Sequence, residues 1–177
     1  MAIMLDPVSI EPMQFADLDA VLHIDRRCFP TPWLCIAYQT ELTNRAACYL
    51  VARCGRRVVG YGGLWVIARE AHITTLAVAP EFQGKKIGEK LLIGLLEEAV
   101  LRGASRSTLE VREGNRAAQG LYRKYRFREA ALRRSYYTDN GENAVVMWAD
   151  DMDRAAYSEH LRAMRHTLYD AYQSRMR

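Results

Sequence analysis

Hydrophobic and polar positions repeat with two different periods along this chain. In several segments apolar residues recur every three to four positions, which predicts helices, and one such stripe lies in residues 87–101. Short runs rich in β-branched and aromatic residues lie between turn signals and predict strands. The predicted helices are residues 15–27, 36–44, 87–101, 115–125 and 154–177. The predicted strands are residues 8–11, 48–54, 58–67, 71–78, 107–111, 127–137 and 144–148.

The element order is therefore β-α-α-β-β-β-α-β-α-β-β, followed by a C-terminal amphipathic helix. This order predicts an α/β chain (α+β, with a mixed sheet). Asp139-Asn140-Gly141 predicts the turn of the last hairpin. Because Asp150-Asp151 follows the last strand, we predict one domain at residues 7–150 and a helical extension at residues 151–177.

Composition narrows the class of protein. Of the 177 residues, 50% are hydrophobic and 26% are charged, which is typical of a folded globular domain. The formal net charge of +4 suits an anionic cofactor or the proximity of nucleic acid, and a solvated surface explains it equally well. The arginines are spread along the chain without a lysine-rich tail, so we expect no direct nucleic-acid role. No apolar run approaches the ~20 residues of a membrane span. No basic segment precedes an apolar stretch at the start, so we expect a cytoplasmic protein.

The cysteines and histidines do not follow a metal-binding pattern. The four cysteines form no Cys-x-x-Cys pair, and no histidine lies at zinc-finger spacing from them. We therefore expect reduced cysteines that pack as small apolar residues in a cytosolic protein. The four histidines are scattered along the chain, so the sequence predicts neither a metal site nor a catalytic triad.

The most informative stretch joins a strand to a helix. Leu76-Ala77-Val78 ends the strand, and Gln83-Gly84-Lys85-Lys86-Ile87-Gly88 leads into the next helix. Successive backbone N–H groups at such a turn, together with the helix N-terminus, form a cradle for phosphate oxygens. A plain strand-to-helix turn with a solvated lysine pair is the alternative. The glycine positions fit neither a Walker loop nor a dinucleotide fingerprint.

Two side chains beyond this turn are candidates for acid–base chemistry. Glu110 lies inside an apolar strand, where burial is expected to raise its pKa and suit a general base. A solvent-facing strand residue is the alternative. Tyr122 lies on the following helix, where its phenol would protonate a leaving thiolate, because the ordinary pKa values of the two groups differ by about 1.5. The alternative for Tyr122 is a tyrosine of the core.

Taken together, these motifs resemble the GNAT acetyltransferase superfamily over residues 7–150. The resemblance rests on Ala-Pro-x-Phe-Gln-Gly with its apolar helix, then Leu-Glu-Val-Arg-x-x-Asn, then Ala-x-x-Leu-Tyr, in that order. The Phe-Pro-Thr-Pro-Trp loop at residues 29–33 and the stretch at residues 132–137 resemble, more narrowly, the RimI-type N-alpha-acetyltransferases of ribosomal proteins.

The resemblance implies acetyl-CoA as co-substrate and no metal. The backbone amides of residues 76–78 would hold the acetyl carbonyl and pantetheine where two strands splay apart, and residues 83–88 would bind the pyrophosphate. Asn115 would contact the cofactor arm. The implied cofactor-binding residues are Leu76, Ala77, Val78, Gln83, Gly84, Lys85, Lys86, Ile87, Gly88 and Asn115.

The resemblance also implies catalytic roles and an acceptor. Glu110 would deprotonate the attacking amine through water, and Tyr122 would protonate the departing CoA thiolate. The acceptor would be the N-terminal amine, on alanine, of a ribosomal protein, with small-subunit ribosomal protein number eighteen as the leading candidate. The residues implied to flank the acceptor peptide are Pro32, Trp33, Tyr136 and Tyr137.

Two alternatives stay open at the level of sequence. One is a GNAT enzyme that acetylates lysine side chains or a small amine, and the other is a non-catalytic module that senses acetyl-CoA. A sensor would need neither Glu110 nor Tyr122. We expect a monomer or a weak homodimer.

The chain departs from the family pattern at two glycine positions. Lys86 replaces the first glycine of Gln-x-x-Gly-x-Gly, so we expect either an ordinary φ or some strain there. Arg126 replaces the glycine of the Gly-Phe pair that follows the tyrosine helix. Because a helix end favours glycine in the left-handed conformation, we expect altered geometry at that end.

Overall fold

The computed structural model describes residues 8–175, with side chains for residues 8–170. The strands are β1 (Val8–Pro12), β2 (Ala47–Cys54), β3 (Arg57–Ile67), β4 (Glu70–Val78), β5 (Arg106–Arg112), β6 (Arg128–Arg133) and β7 (Ala144–Ala149). The helices are α1 (Leu18–Cys28), α2 (Cys35–Thr43), α3 (Ile87–Leu101), α4 (Arg116–Lys124) and α5 (Ala155–Arg175). Short 3-10 turns at Phe15–Asp17 and Pro80–Phe82 precede α1 and α3.

The seven strands form one mixed sheet in the order β1-β2-β3-β4-β5-β7-β6. Every neighbouring pair is antiparallel except β4 and β5, which run parallel. The predicted fold class and element order are thereby confirmed. Residue 7, at the start of the predicted domain, and residues 176–177 of the predicted extension lie outside the described residues.

Helix α3 is the centre of the hydrophobic core. Its leucines at 91, 92, 95 and 96 have no exposed surface, because the sheet covers one side of the helix and α5 packs against it as well. Two glycines of β3 keep both faces of the sheet open to neighbours. A Cβ at Gly62 would lie 2.9 Å from Leu95 Cδ1, and a Cβ at Gly63 would lie 2.3 Å from the ring of Tyr49. Within residues 8–175 no helix is long and apolar enough to cross a bilayer.

The sheet opens between its two parallel strands. β4 pairs with β5 only from Glu70 to His72, opposite Arg106 to Thr108. Beyond that point β4 continues to Val78 along β3, whereas β5 continues to Arg112 along β7. The edge of β4 that faces β5 therefore has no ladder partner over residues 73–78, and the two strands diverge as the sequence predicts.

The C-terminal helix closes the end of α4. The Tyr157 hydroxyl donates to the Tyr125 carbonyl at 3.2 Å, and His160 Nε2 lies 2.8 Å from the Lys124 carbonyl. The last carbonyls of a helix have no partner inside it, so these two side chains satisfy groups that otherwise need water. Helix α5 thus packs on the chain's own fold, while the predicted boundary at residues 150 and 151 stays a prediction.

Two predictions about element ends are wrong. β6 ends at Arg133 rather than at residue 137, because Ser135 takes a left-handed φ of 49° and its N–H donates to Asn143 Oδ1 at 3.0 Å. Arg126 adopts the left-handed conformation, with φ 66°, despite its side chain. The Phe127 N–H donates to the Tyr122 carbonyl at 3.2 Å, so the helix end keeps the geometry that a glycine favours.

Candidate active site

Glu110 lies at the mouth of the opening between β4 and β5. It follows Thr108, the last β5 residue paired with β4, and only 12% of its side chain is exposed. Its Oε2 is 2.8 Å from His72 Nε2, and its Oε1 is 3.4 Å from a guanidinium nitrogen of Arg133. The structure therefore confirms the predicted burial of this carboxylate inside the strand.

The predicted direction of the Glu110 pKa is wrong. Burial alone would raise it, but the hydrogen bond from His72 lowers the pKa below its ordinary value of 4.5, and the charge of Arg133 acts in the same direction. Both partners come from other strands. The apolar pattern around Glu110 carries no information about them.

His72 is the site residue that sequence reasoning missed. It lies on β4, opposite Thr108, with 37% of its side chain exposed. The edge of its ring meets the Trp65 indole at a centroid distance of 6.2 Å. The only signal in the sequence is that His72 is a polar, titratable residue inside the apolar strand predicted at residues 71–78.

Tyr122 is buried in α4, with 8% of its surface exposed. Its ring packs 5.9 Å from Phe127, and its hydroxyl has no hydrogen-bond partner among the described side chains and backbone. Burial raises the pKa of Tyr122 to about 12, and the nearby phenol of Tyr137 adds to the effect. Tyr122 is thus a core tyrosine with a protonated hydroxyl that the protein leaves free to donate.

The loop after β6 holds two tyrosines beside the carboxylate. The rings of Tyr136 and Tyr137 meet edge to face at 5.2 Å, and the Arg112 guanidinium stacks 3.9 Å from the centre of the Tyr137 ring. Arg112 also pairs with Asp139 at 2.9 Å and Glu142 at 3.0 Å, which fixes the turn.

Tyr137 links the two candidate acid–base residues. Burial raises its pKa to about 12, and the charge of Glu110 contributes to that rise. The charge of Tyr137 in turn raises the pKa of Tyr122. Charge on Glu110 therefore acts on Tyr137, and charge on Tyr137 acts on Tyr122.

The loop between α1 and α2 is held by a buried carboxylate. Asp25 is 1% exposed, and its Oδ2 accepts the Trp33 N–H at 2.7 Å. Its Oδ1 accepts the hydroxyls of Tyr38 and Tyr61, and Tyr61 lies opposite Ala77 of β4. The indole of Trp33 is half-buried against Tyr38, whereas Pro32 is exposed. Within residues 8–170 no recorded ring contact joins this loop to Tyr136 or Tyr137.

Side chains of the turn before α3 form contacts with other groups of the protein. Gln83 Nε2 donates to the Val78 carbonyl at 3.0 Å, which ties the turn to the end of β4. Lys85 Nζ lies 3.0 Å from the Glu81 carbonyl, and Lys86 Nζ lies 3.2 Å from the buried carboxylate of Glu89. The first N–H groups of α3 have no partner within the helix, so at this turn the backbone rather than these side chains offers unpaired donors.

Two further predicted cofactor residues have structural roles of their own. Asn115 caps α4, because its Oδ1 accepts the Ala118 N–H at 3.1 Å. Lys86 takes a left-handed φ of 64° at the N-cap of α3, which is the strained alternative of the two that the sequence left open.

The strain at Lys86 predicts a difference between two substitutions. Lys86→Gly and Lys86→Met both remove the ammonium, but only glycine also removes the Cβ that disfavours a left-handed φ. We expect the free energy of unfolding to be higher in Lys86→Gly than in Lys86→Met by about 1 kcal/mol, measured by urea titration. A Met variant as stable as the Gly variant would show that Lys86 carries no conformational cost.

The comparisons with known proteins agree with this geometry. The Acetyltransferase (GNAT) family profile matches residues 18–127, which include the turn, Glu110 and Tyr122. The chain belongs to the GNAT acetyltransferase family. It is therefore a transferase that uses acetyl-CoA.

Several relatives of this GNAT chain have informative names. A protein of Bacillus subtilis (strain 168) is 38% identical over 141 residues, covering 79% of this chain and 93% of its own; its name, given provisionally, is ribosomal protein bS18-alanine N-acetyltransferase. N-alpha-acetyltransferase RimI of Mycobacterium tuberculosis is 36% identical over 154 residues, covering 84% of this chain and 96% of its own.

A solved structure shares the fold over most of both chains. The ribosomal-protein-S18-alanine N-acetyltransferase from Escherichia coli superposes with a TM-score of 0.76 at 30% sequence identity. The match covers 82% of this chain and 94% of that chain. These three relatives are bacterial proteins named as N-acetyltransferases.

Proposed function

We propose that this GNAT chain acetylates the N-terminal amine of a ribosomal protein, with an N-terminal alanine of small-subunit ribosomal protein number eighteen as the acceptor. The observation that carries the proposal is the position of the Glu110 carboxylate, which lies 12% exposed at the opening of the sheet with its Oε2 2.8 Å from His72 Nε2. The Tyr122 hydroxyl lies buried on α4, the next element along the chain. The names of the relatives support the acceptor. A ribosomal acceptor also implies action in the cytoplasm.

The backbone of β4 and of the following turn fits acetyl-CoA. Residues 73–78 have no ladder partner on the side facing β5, so this edge can bind an extended, amide-containing ligand as a strand would. Leu76, Ala77 and Val78 supply the end of that edge. The N–H groups from Gly84 to Gly88 receive the pyrophosphate beside the positive end of the α3 dipole.

Glu110 serves as the base in this proposal. Its lowered pKa keeps it ionised at neutral pH, so it is ready to accept a proton from the acceptor ammonium, directly or through water. The neutral amine then attacks the thioester carbon, and backbone N–H groups of β4 stabilise the oxyanion that forms. No acyl-enzyme is needed, because amine and thioester meet at the same opening.

Tyr122 serves as the acid. As the C–S bond breaks, its hydroxyl donates its proton to the CoA sulfur, and the resulting phenolate takes the second proton of the acceptor nitrogen. A pKa of about 12 keeps Tyr122 protonated until that moment but makes it a weaker acid than an ordinary thiol, whose pKa is near 8.5. Desolvation in the same buried site also raises the proton affinity of the leaving thiolate, which narrows the difference between the two pKa values.

The acceptor is chosen by its pKa and by the walls of the opening. An N-terminal amine has an ordinary pKa of about 7.7–8.0, against about 10.4 for lysine, so near pH 7.5 only the first is substantially neutral. Glu110 is a weak base because its pKa is low, so an N-terminal amine suits it better than a lysine side chain does. Pro32 and Trp33 on one side, and Tyr136 and Tyr137 on the other, flank a short extended N-terminus.

Thiol release from acetyl-CoA tests this function. A peptide that starts with free alanine and follows the ribosomal protein's N-terminus is expected to release CoA, whereas the same peptide blocked at its N-terminus is not. An acetyl-CoA sensor would bind acetyl-CoA and release no thiol with either peptide. Equal release with both peptides would instead favour the acetylation of lysine side chains.

A further inference from the structure

One hydrogen bond crosses the point where the parallel strands part. His72 and Thr108 form the last pair of the β4–β5 ladder, and Glu110 lies two residues further along β5. Side chains two residues apart on a strand share a face, so His72 and Glu110 meet diagonally across the opening. Their 2.8 Å contact joins the two strands immediately beyond the last ladder pair.

The two oxygens of Glu110 have different surroundings. Oε2 is held by His72, whereas Oε1 pairs with Arg133, at 3.4 Å, on an edge strand where the guanidinium side chain is 55% exposed. An exposed ion pair of that length restrains a carboxylate weakly. The orientation of the carboxylate is therefore set by His72, and Oε1 is the oxygen left for an incoming group.

The surroundings of His72 hold its ring in place. The Trp65 indole on β3 lies perpendicular to it, and Trp65 Nε1 itself donates a hydrogen bond to the Glu41 carboxylate on α2. The charged and titratable groups near the His72 imidazole and its partner are Glu110 itself on β5, Arg133 on β6, Glu41 on α2 and Tyr137 in the loop after β6. Among these groups, Glu110 is the one that forms a hydrogen bond with the imidazole.

We propose that His72 is a positioning residue for acetyl transfer, whose Nε2–H holds Glu110 Oε2 so that Oε1 faces the acceptor amine. The proposal rests on the function proposed above. In the reaction Glu110 Oε1 takes one proton from the acceptor ammonium, and the neutral amine nitrogen bonds to the acetyl carbon. The C–S bond then breaks, the CoA sulfur leaves with the Tyr122 proton, and the second proton of the nitrogen passes to the Tyr122 phenolate, which leaves a neutral amide. His72 keeps its own proton throughout and acts through Glu110.

This role predicts different outcomes for two substitutions of His72. His72→Gln retains an N–H donor close to the position of Nε2, and His72→Phe keeps the ring but removes the donor. We expect His72→Phe to lower kcat by about 10–100-fold, the range found when a residue that orients a functional ligand is removed. KM for acetyl-CoA should change little. His72→Gln should recover most of that loss.

The pKa of Glu110 provides a second readout, which would not change if His72 had a merely structural role. The carboxyl carbon of Glu110 is followed by NMR between pH 3 and pH 7, with Glu110→Gln identifying its signal. Because the hydrogen bond from His72 lowers the pKa of Glu110, we expect that pKa to rise in His72→Phe and to stay near the wild-type value in His72→Gln. Should His72→Phe not fold, His72→Leu tests the same loss of the donor.

The outcomes separate this inference from the proposed function. If the wild type transfers acetyl to no peptide, the proposed function is refuted. The Glu110 titration then still tests the hydrogen bond from His72. If the wild type is active, two results overturn the role of His72. One is a near-wild-type kcat in the variant without the donor, and the other is an unchanged Glu110 pKa in that variant. Equal losses of kcat in His72→Gln and His72→Phe also overturn it, because the donor would then not be the feature that matters.

Discussion

Tyr122→Phe is expected to lower kcat by about 10²–10⁴-fold, the range for loss of a general acid, with KM for acetyl-CoA nearly unchanged. The substitution removes only the hydroxyl that donates to the CoA sulfur, and the ring still packs against Phe127. Because that hydroxyl has no partner in the described protein, its loss should leave the free energy of unfolding close to that of wild type. Steady-state kinetics and urea titration of the same samples measure both quantities.

Tyr157→Phe is the matched control for this experiment. Its hydroxyl is buried on α5 and donates to the Tyr125 carbonyl, outside the opening of the sheet. We expect a loss of about 1 kcal/mol in the free energy of unfolding and an unchanged kcat. A Tyr122→Phe variant that turns over as fast as Tyr157→Phe would remove Tyr122 from the mechanism.

Glu110→Gln is expected to lower kcat by a similar factor of about 10²–10⁴ near pH 7, and by less at higher pH. The pKa of Glu110 lies below its ordinary value, so the wild-type carboxylate is ionised across the neutral range and accepts the proton of the acceptor ammonium. Glutamine accepts no proton. As pH rises above the amine pKa of about 7.7–8.0, more acceptor arrives neutral and the base is needed less.

A pH–rate profile from pH 6 to pH 9.5 measures this convergence of wild type and variant. Glu98→Gln makes the same chemical change on α3, at a partly exposed carboxylate paired with Arg102, and is expected to follow the wild-type profile. A constant ratio of wild-type to Glu110→Gln rates at every pH would contradict a role for Glu110 in deprotonating the amine.

The order of elements was predictable because each boundary has a local cause. The stripe of residues 87–101 matches α3 to the residue, and Asn115 caps α4 by the contact that its side chain favours. The opening between β4 and β5 was predicted from the family resemblance. The register shows how it arises, since only three residue pairs join the two strands.

The missed features depend on contacts between distant residues or on tolerated strain. β6 stops at Arg133 because Ser135 bonds to Asn143, a partner eight residues away that propensity does not reveal. Arg126 keeps a left-handed φ while its side chain stacks on Tyr157 of α5. The lowered pKa of Glu110 arises from His72, 38 residues away in sequence. In each case a tertiary contact outweighs a local preference.

The most direct test is to map where this protein attaches the acetyl group. One peptide carries a free N-terminal alanine and internal lysines, and it is incubated with ¹³C-labelled acetyl-CoA and analysed by fragmentation mass spectrometry. We expect the label on the N-terminal nitrogen and none on the same peptide blocked at its N-terminus. Label mainly on lysine side chains, with the blocked peptide as good a substrate as the free one, would contradict N-alpha-acetylation.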